Sequence, residues 1–268
     1  EHMRRKIITS MITILLIFSV SSVLAGDVLE FDTDQGKSPN IIQINEEIYA
    51  IAYSGEDEVG LIKTVEIENN GDISDTFIDS YEFDSNRGIT PDIIHIFGEV
   101  YAIAYTGEND AGYLKTLLVD SNGFISESPE MYQNQFVFDS NMGKDPDIIH
   151  ITENIYAIAY GDEGILRTIQ ISNNGQISNI ISVDMRLDFA PIGKTPNIIK
   201  VTDNIFAIAY SECIGPHSYG VLKTIEILDN GRINSIINSY TFDNKECLNP
   251  NIINIYDNLF AIAYTGNG

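Results

Sequence analysis

The sequence predicts an all-β chain in which one four-stranded antiparallel unit is repeated, and three observations predict it. A proline-headed segment, Pro91-Asp92-Ile93-Ile94-His95-Ile96 with Tyr101-Ala102-Ile103-Ala104-Tyr105 behind it, recurs with small edits at 39–53, 146–160, 196–210 and 250–264. The prolines at 39, 91, 146, 196 and 250 are thus 52, 55, 50 and 54 residues apart. A period near 50 signals a stacked or circular array of one supersecondary unit. Within each unit the apolar residues alternate with period two and are rich in Ile, Val, Tyr and Thr, which favours strands over helices. An Asn-Gly pair, at Asn70-Gly71, Asn122-Gly123, Asn174-Gly175 and Asn230-Gly231, divides the last two strands of each complete unit. That pair suits a two-residue type I′ hairpin turn.

Residues 1–25 stand outside the repeats. Glu1-His2 ahead of Met3 reads as a tag scar, Arg4-Arg5-Lys6 as a basic leader, 7–20 as an apolar run and Val23-Leu24-Ala25 as a small-residue cleavage site. Together they read as a secretory signal peptide; the alternative, an uncleaved anchor, is disfavoured because the run is shorter than the ~20 residues that span a bilayer. A secreted or cell-surface location follows, with no membrane insertion after cleavage. Of 15 basic and 39 acidic residues, this segment holds three and one, leaving 12 against 38 and a net charge of −26. Nucleic acid is excluded as a partner by such a charge.

Strand A of each unit is the Ile-Ile-x-Ile run at 41–44, 93–96, 148–151, 198–201 and 252–255. Strand B is the Tyr/Phe-Ala-Ile-Ala-Tyr run, with bulky side chains on one face and two alanines on the other. A bulky face on one unit against a small face on the next would fill the space between them. Strand C carries Leu/Ile-Lys/Arg-Thr, at 61–67, 113–119, 165–171 and 221–227, and its cations Lys63, Lys115, Arg167 and Lys223 are expected to pair with recurrent acids. Strand D follows the Asn-Gly turn and ends near Phe-Asp. Short A-B and C-D turns lie at one end, and longer B-C and D-A loops at the other.

A tandem four-stranded antiparallel unit of this length is a β-propeller blade. A β-helix, the competing array, has shorter coils and needs no hairpin per turn. The blades run 39–90, 91–145, 146–195 and 196–249, with a partial fifth at 250–268 that lacks strand C. Residues 27–32 resemble strand D and are expected to serve as a closing outer strand within the propeller region, 26–268. The partial blade reads as a truncated piece of a longer propeller or as an irregular fifth blade, with truncation favoured. The repeated Tyr-Ala-Ile-Ala-Tyr, Gly-x-Leu-Lys-Thr and Asn-Gly texts resemble those of extracellular β-propeller repeat proteins of archaea and bacteria. That resemblance implies a fold and a cell-surface setting, and no particular activity.

Four sets of residues are candidates for chemistry. Cys213 and Cys247 lie in loops at the elaborated end and are expected to form a disulfide, with free thiols or a metal pair with His217 as alternatives. In the D-A loops Asp32, Asp34 and Asn40, then Asp84, Asn86 and Asp92, then Asp139, Asn141 and Asp147 repeat oxygen-bearing side chains around a Gly, a pattern similar to the calcium loops of integrin-type propellers. The alternative is that each first Asp starts an Asx-turn. Gln43, His95, His150, Lys200 and Asn254 share one position in strand A and are expected to line the central channel. Tyr53, Tyr105, Tyr160 and Tyr210 end strand B and could meet a sugar, although core positions suit them better.

An enzyme would break its own repeat where acids enter the channel, whereas here the acids recur from blade to blade. The expectation is therefore a non-catalytic scaffold or binding module for an extracellular protein or glycan, with calcium as a candidate and no required cofactor. The alternative is a glycan-active propeller enzyme using Asp or Glu near the channel.

Overall fold

The computed structural model describes residues 28–127, 134–161, 164–181, 185–186 and 193–266. The signal-peptide reading of 1–25 falls outside them, and no helix among the described residues is long and apolar enough to cross a membrane.

The chain is an all-β propeller of antiparallel sheets. Blade 1 is β1 (Lys37–Gln43), β2 (Ile48–Ser54), β3 (Gly60–Glu66) and β4 (Asp79–Asp84), hydrogen-bonded in that order. Blade 2 is β5 (Ile89–Phe97), β6 (Val100–Thr106) and β7 (Gly112–Val119), with the fourth strand broken into β8 (Ile125–Ser126) and β9 (Gln135–Asp139). Blade 3 repeats this with β10 (Asp147–Thr152), β11 (Ile155–Tyr160), β12 (Ile165–Ile171), β13 (Ile177–Ile180) and β14 (Met185–Arg186). Blade 4 has β15 (Gly193–Lys200), β16 (Ile205–Ile214), β17 (His217–Ile227) and β18 (Ile233–Asp243), and blade 5 only β19 (Leu248–Tyr256) and β20 (Leu259–Thr265).

The blades pack as the alternation in strand B dictates. Ala50 and Ala52 meet Tyr101, Ile103 and Tyr105; Ala102 and Ala104 meet Tyr156, Ile158 and Tyr160. Ala157 and Ala159 meet Phe206, Ile208 and Tyr210, and Ala207 and Ala209 meet Phe260 and Ile262. Each apolar cluster is thus an interface between consecutive blades, where methyl groups leave room for rings and excess volume would be penalised.

A second device ties these interfaces. The strand-C threonines Thr64, Thr116 and Thr168, all buried, donate to the carbonyls of Gly123, Gly175 and Gly231 in the next blade at 2.7, 2.7 and 2.6 Å. Those glycines sit in the C-D turns, whose geometry differs from the expected type I′. Gly71 N donates to Glu68 O and Glu68 N to Asp72 O, and of Asn70 and Gly71 only the glycine has positive φ, +92°. This is a type I turn closed by a glycine bulge. The extra residue lets the turn reach across to the preceding blade's threonine.

Strand C holds a further difference. Lys63 Nζ donates to Phe31 O at 2.7 Å and lies over the Tyr53 ring, so its partner is a main-chain carbonyl and a π face rather than an acid. Lys115 has both, bonding Phe83 O at 3.1 Å and Glu127 at 2.8 Å. Residues 28–32 form no strand, because no strand C of blade 5 is present among the described residues to pair with them. Phe31 nonetheless packs on Tyr53 at 5.0 Å, as Phe83 does on Tyr105.

Candidate functional site

The five A strands start around one cavity of about 470 Å³, lined by Ser38 to Asn40, Thr90 to Asp92, Asp145 to Asp147, Thr195 to Asn197 and Asn249 to Asn251. The proline in each triplet has no N–H to give the A-B ladder. The ladder accordingly shifts register there, between Lys37 and Asn40, Ile89 and Asp92, Lys194 and Asn197, and Leu248 and Asn251. Ser38, Thr90, Asp145, Thr195 and Asn249, just before the prolines, all adopt left-handed φ of 46–48°. For Thr90 and Thr195, β-branched, this conformation is costly and persists only because the surroundings enforce it. A bulge of this kind re-aims the next side chain, and Asn40, Asp92, Asp147 and Asn197, the residues after the first four prolines, each reach across to the following blade.

Those residues form a chain of hydrogen bonds around the axis. Asn40 Nδ2 donates to Asp92 Oδ1 and Ile148 N to Asp92 Oδ2, both at 2.8 Å. Ile198 N donates to Asp147 Oδ2, Asn197 Nδ2 donates to the same oxygen at 3.1 Å, and Ile252 N donates to Asn197 Oδ1 at 2.8 Å. An inner strand edge has main-chain donors that need partners, and the ring supplies them. Asparagine serves this purpose as well as aspartate, since its oxygen accepts and its amide donates. Blades 1, 4 and 5 carry asparagine here, whereas blades 2 and 3 carry Asp92 and Asp147.

The two carboxyl groups are hydrogen-bonded to each other across the blade 2 to blade 3 interface. Burial is the main cause that pushes Asp92 up, to about 6, against the pull of its N–H donors. Burial, and then the charge of Asp92, pushes Asp147 well above the ordinary carboxylate range. Like charges in one low-dielectric site cannot both form cheaply, so such a pair titrates in two steps and keeps one proton between them. Asp145 brings a third carboxyl group to the same mouth and is the one acid among the five pre-proline residues.

The other expected site residues lie elsewhere or meet other partners. Asp84 Oδ1 accepts from Asn86 N and Arg87 N at 2.9 and 3.0 Å, and its Oδ2 from the Tyr105 hydroxyl at 2.9 Å. Asp139 repeats this with Asn141, Met142 and Tyr160, and Asp32 makes the turn with Asp34 and Gln35. Both oxygens of Asp84 and Asp139 are engaged in an Asx-turn and a tyrosine bond, while Asn40, Asp92 and Asp147 of the same sequence motif belong to the axial ring. The motif is thus split between two sets of partners, and no group of three or more His, Cys, Asp or Glu among the described residues is placed to hold a metal.

Gln43, His95, His150, Lys200 and Asn254 are all exposed on strand A. His95 bonds Gly98 O and His150 bonds Glu153 O, each at 2.9 Å within its own A-B hairpin; Asn254 donates to Asp257 O, and Lys200 to Ile151 O of the preceding blade. A recess of about 750 Å³ beside His150, at the A-B and C-D turn end, contains no carboxyl pair. Cys213 and Cys247 are free thiols, so the expected disulfide is not formed. Both adjoin Ser218, with Cys213 Sγ 3.4 Å from its hydroxyl and Cys247 N donating to its carbonyl. Burial pushes the Cys247 thiol to about 11, leaving it protonated at neutral pH.

Sequence reasoning places Asp92 and Asp147 in another role and misses Asp145. Aligning the five proline triplets exposes both columns: Asn, Asp, Asp, Asn, Asn after the proline, and Ser, Thr, Asp, Thr, Asn before it.

No protein-family model matches the chain, and no curated protein is significantly similar to it. Among solved structures the chain is similar to the catalytic domain of a Coprinopsis cinerea GH62 α-L-arabinofuranosidase, at 12% identity and TM-score 0.50 over 88% of this chain and 86% of that one. A thermostable family-43 glycoside hydrolase matches at 13% identity and TM-score 0.46, covering 81% and 79%. An α-L-arabinofuranosidase from Podospora anserina in complex with cellotriose matches at 13% and 0.45, covering 86% and 83%. At this identity the likeness establishes the propeller fold. The expectation of a non-catalytic scaffold is overturned nonetheless: the fold matched at TM-score 0.50 is one that can carry a catalytic domain, and the argument for a scaffold assumed acids that recur. At the axis they do not recur; they enter at blades 2 and 3 alone.

Proposed function

We propose that the chain is a glycoside hydrolase whose active site is the axial mouth, with the Asp92–Asp147 pair as proton donor and Asp145 as the second carboxyl group. The observation that carries this reading is the hydrogen-bonded pair itself, two acids at ring positions where the other three blades use asparagine. Glycoside cleavage needs one carboxylic acid to protonate the leaving oxygen and one carboxylate on the opposite side of the sugar, roughly 5–9.5 Å away. Two carboxyl groups in mutual hydrogen-bond contact are too close to be those two, so they act as one unit that holds a proton. Above pH about 6 that unit carries a single proton, which suits a general acid near neutrality. Asp145 then takes the role of base or nucleophile. A cavity of about 470 Å³ is of a size for one or two sugar residues.

The test is a panel of aryl glycosides that includes the α-L-arabinofuranoside and the β-xyloside, with arabinoxylan as a polymer. Hydrolysis of at least one is expected, with kcat falling on the order of 100-fold or more in Asp145→Asn. A wild-type protein inert on the whole panel, or an Asp145→Asn variant as active as wild type, refutes the reading.

A further inference from the structure

The recess of about 750 Å³ lies at the turn end of the blade 2 to blade 3 interface, where the sequence departs from its repeat in two places. At the blade 1 to blade 2 interface Asn45, in the A-B turn, donates through Nδ2 to Ser121 O in the next blade's C-D turn at 2.8 Å. One interface on, the residues in those positions are Phe97 and Asn173. Phenylalanine has no donor with which to close the gap, and its ring stands 58% exposed in the wall of the recess.

The second departure concerns the contact between the A-B and C-D turns of one blade. In blade 1 Asn69 Nδ2 donates to Glu47 Oε1 at 3.2 Å, and in blade 4 the Asn204 amide nitrogen, oriented to donate, lies 3.0 Å from Asp229 Oδ1. Each couple matches an amide with a carboxylate. In blade 3 both members are asparagine, Asn154 and Asn173, and neither side chain bonds another described residue. The blade 3 turn, Ser172 to Gly175, is also uncharged, whereas those of blades 1, 2 and 4 carry Glu68, Asp120 and Asp229.

These groups limit what the recess can hold. Among its described lining residues Glu153 is the one carboxylate, no lysine or arginine is present, and His150 Nε2 is taken by Glu153 O, so a charged ligand finds little to pair with. The main chain is closed as well: Ile171 N donates to Asn154 O, Ser172 N to Gln176 O and Gly175 N to Ser172 O, which leaves no strand edge for a peptide to extend. What remains is an aromatic face beside two amides, each with an acceptor oxygen and two N–H donors. A sugar ring is the complement, with a C–H side for the negative face of the phenyl ring and hydroxyls that both donate and accept.

We propose that this recess binds a neutral polysaccharide, one sugar stacking on Phe97 while its hydroxyls bond Asn154 and Asn173. The site is separate from the mouth: β10 runs its six residues, roughly 17 Å, from Asp147 at the axis to Thr152 at the turn end. Binding there tethers the chain to a polymer and leaves the mouth free, and it holds whether or not the mouth is catalytic.

Affinity electrophoresis tests this without turnover, in gels that contain soluble arabinoxylan, xyloglucan or, as an anionic control, polygalacturonate. Retardation by at least one neutral polymer is expected, and none by polygalacturonate. Phe97→Asn, which installs the blade 1 residue at an exposed position, should weaken that binding about tenfold, the scale of one aromatic contact. Asn173→Ala should weaken it several-fold. Neither variant should change the melting temperature, or the rate on a small aryl glycoside that the wild type cleaves. Absence of retardation by every neutral polymer, or retardation of both variants equal to that of wild type, overturns the proposal; the second result would place the polymer elsewhere, as at the mouth.

Discussion

The interface between blades 2 and 3 and the one between blades 4 and 5 are built from nearly the same sequence, yet they differ in two ways. At the axis the first joins Asp92 to Asp147, while the second joins Asn197 Oδ1 to Ile252 N. At mid-blade the first buries Thr116 against Gly175 O, while at the second Thr224 is partly exposed. The packing of Ala102 and Ala104 on Tyr156 and Ile158 is matched by that of Ala207 and Ala209 on Phe260 and Ile262. Repetition therefore fixes the scaffold, and the departure from it at the axis sets the Asp92–Asp147 pair apart.

The largest expected effect comes from making the first interface like the second. Asp92→Asn restores the asparagine of blades 1, 4 and 5, keeps an acceptor for Ile148 N, and donates to Asp147 as Asn40 donates to Asp92. Glycoside hydrolysis should fall by roughly 10²–10⁴-fold, while thermal stability at pH 7.5 holds or rises. A group that serves catalysis at the cost of the fold behaves in this way. If the variant instead melts well below wild type, the acid is structural and the comparison between the two interfaces fails.

The second effect is a pH dependence of stability. Asp92 is raised from 3.8 to about 6 in the folded protein, so the fold prefers its neutral form. The folded state then binds more protons than the unfolded chain between these values, and stability falls as pH rises from about 4 to about 6. A shift of this size corresponds to on the order of 2–3 kcal/mol, less whatever the partly exposed mouth screens. Urea melts across that window should show the decline in wild type and a flatter profile in Asp92→Asn. Identical slopes in the two proteins would remove the buried proton from the account.

Both effects arise at the axis, the part of the molecule that is least legible in the sequence. The blade order, the bulky-on-small packing and the strand pairings follow from residue periodicity and from the five prolines, because side chains alternate strictly along a strand. The axial ring does not follow from periodicity, because it depends on a left-handed residue at Thr90 and Asp145 and on the bulge beside Thr90, which re-aim the side chains that follow and which no local pattern announces. The C-D turn departs from expectation for a related reason. Asn-Gly is compatible with two turn types, and the reach of Gly123 O to Thr64, a contact 59 residues away in sequence, accompanies the bulged form. The lysines differ in another way: a carbonyl and an aromatic face satisfy Lys63 without any acid, and their arrangement is a property of the assembled interface.

The smallest effect isolates the mid-blade difference. Thr116→Val removes a hydroxyl while keeping β-branched shape and strand preference, and leaves the buried Gly175 carbonyl without that donor. An unmet buried acceptor costs about 1–3 kcal/mol. Thr224→Val deletes the same hydroxyl from a partly exposed site, where substitutions usually stay within about 0.5 kcal/mol. Paired urea titrations should therefore lower the midpoint for Thr116→Val and leave it nearly unmoved for Thr224→Val, with m unchanged in both. Equal losses would mean that Thr224 is as firmly bonded as Thr116 and that the two interfaces do not differ at mid-blade.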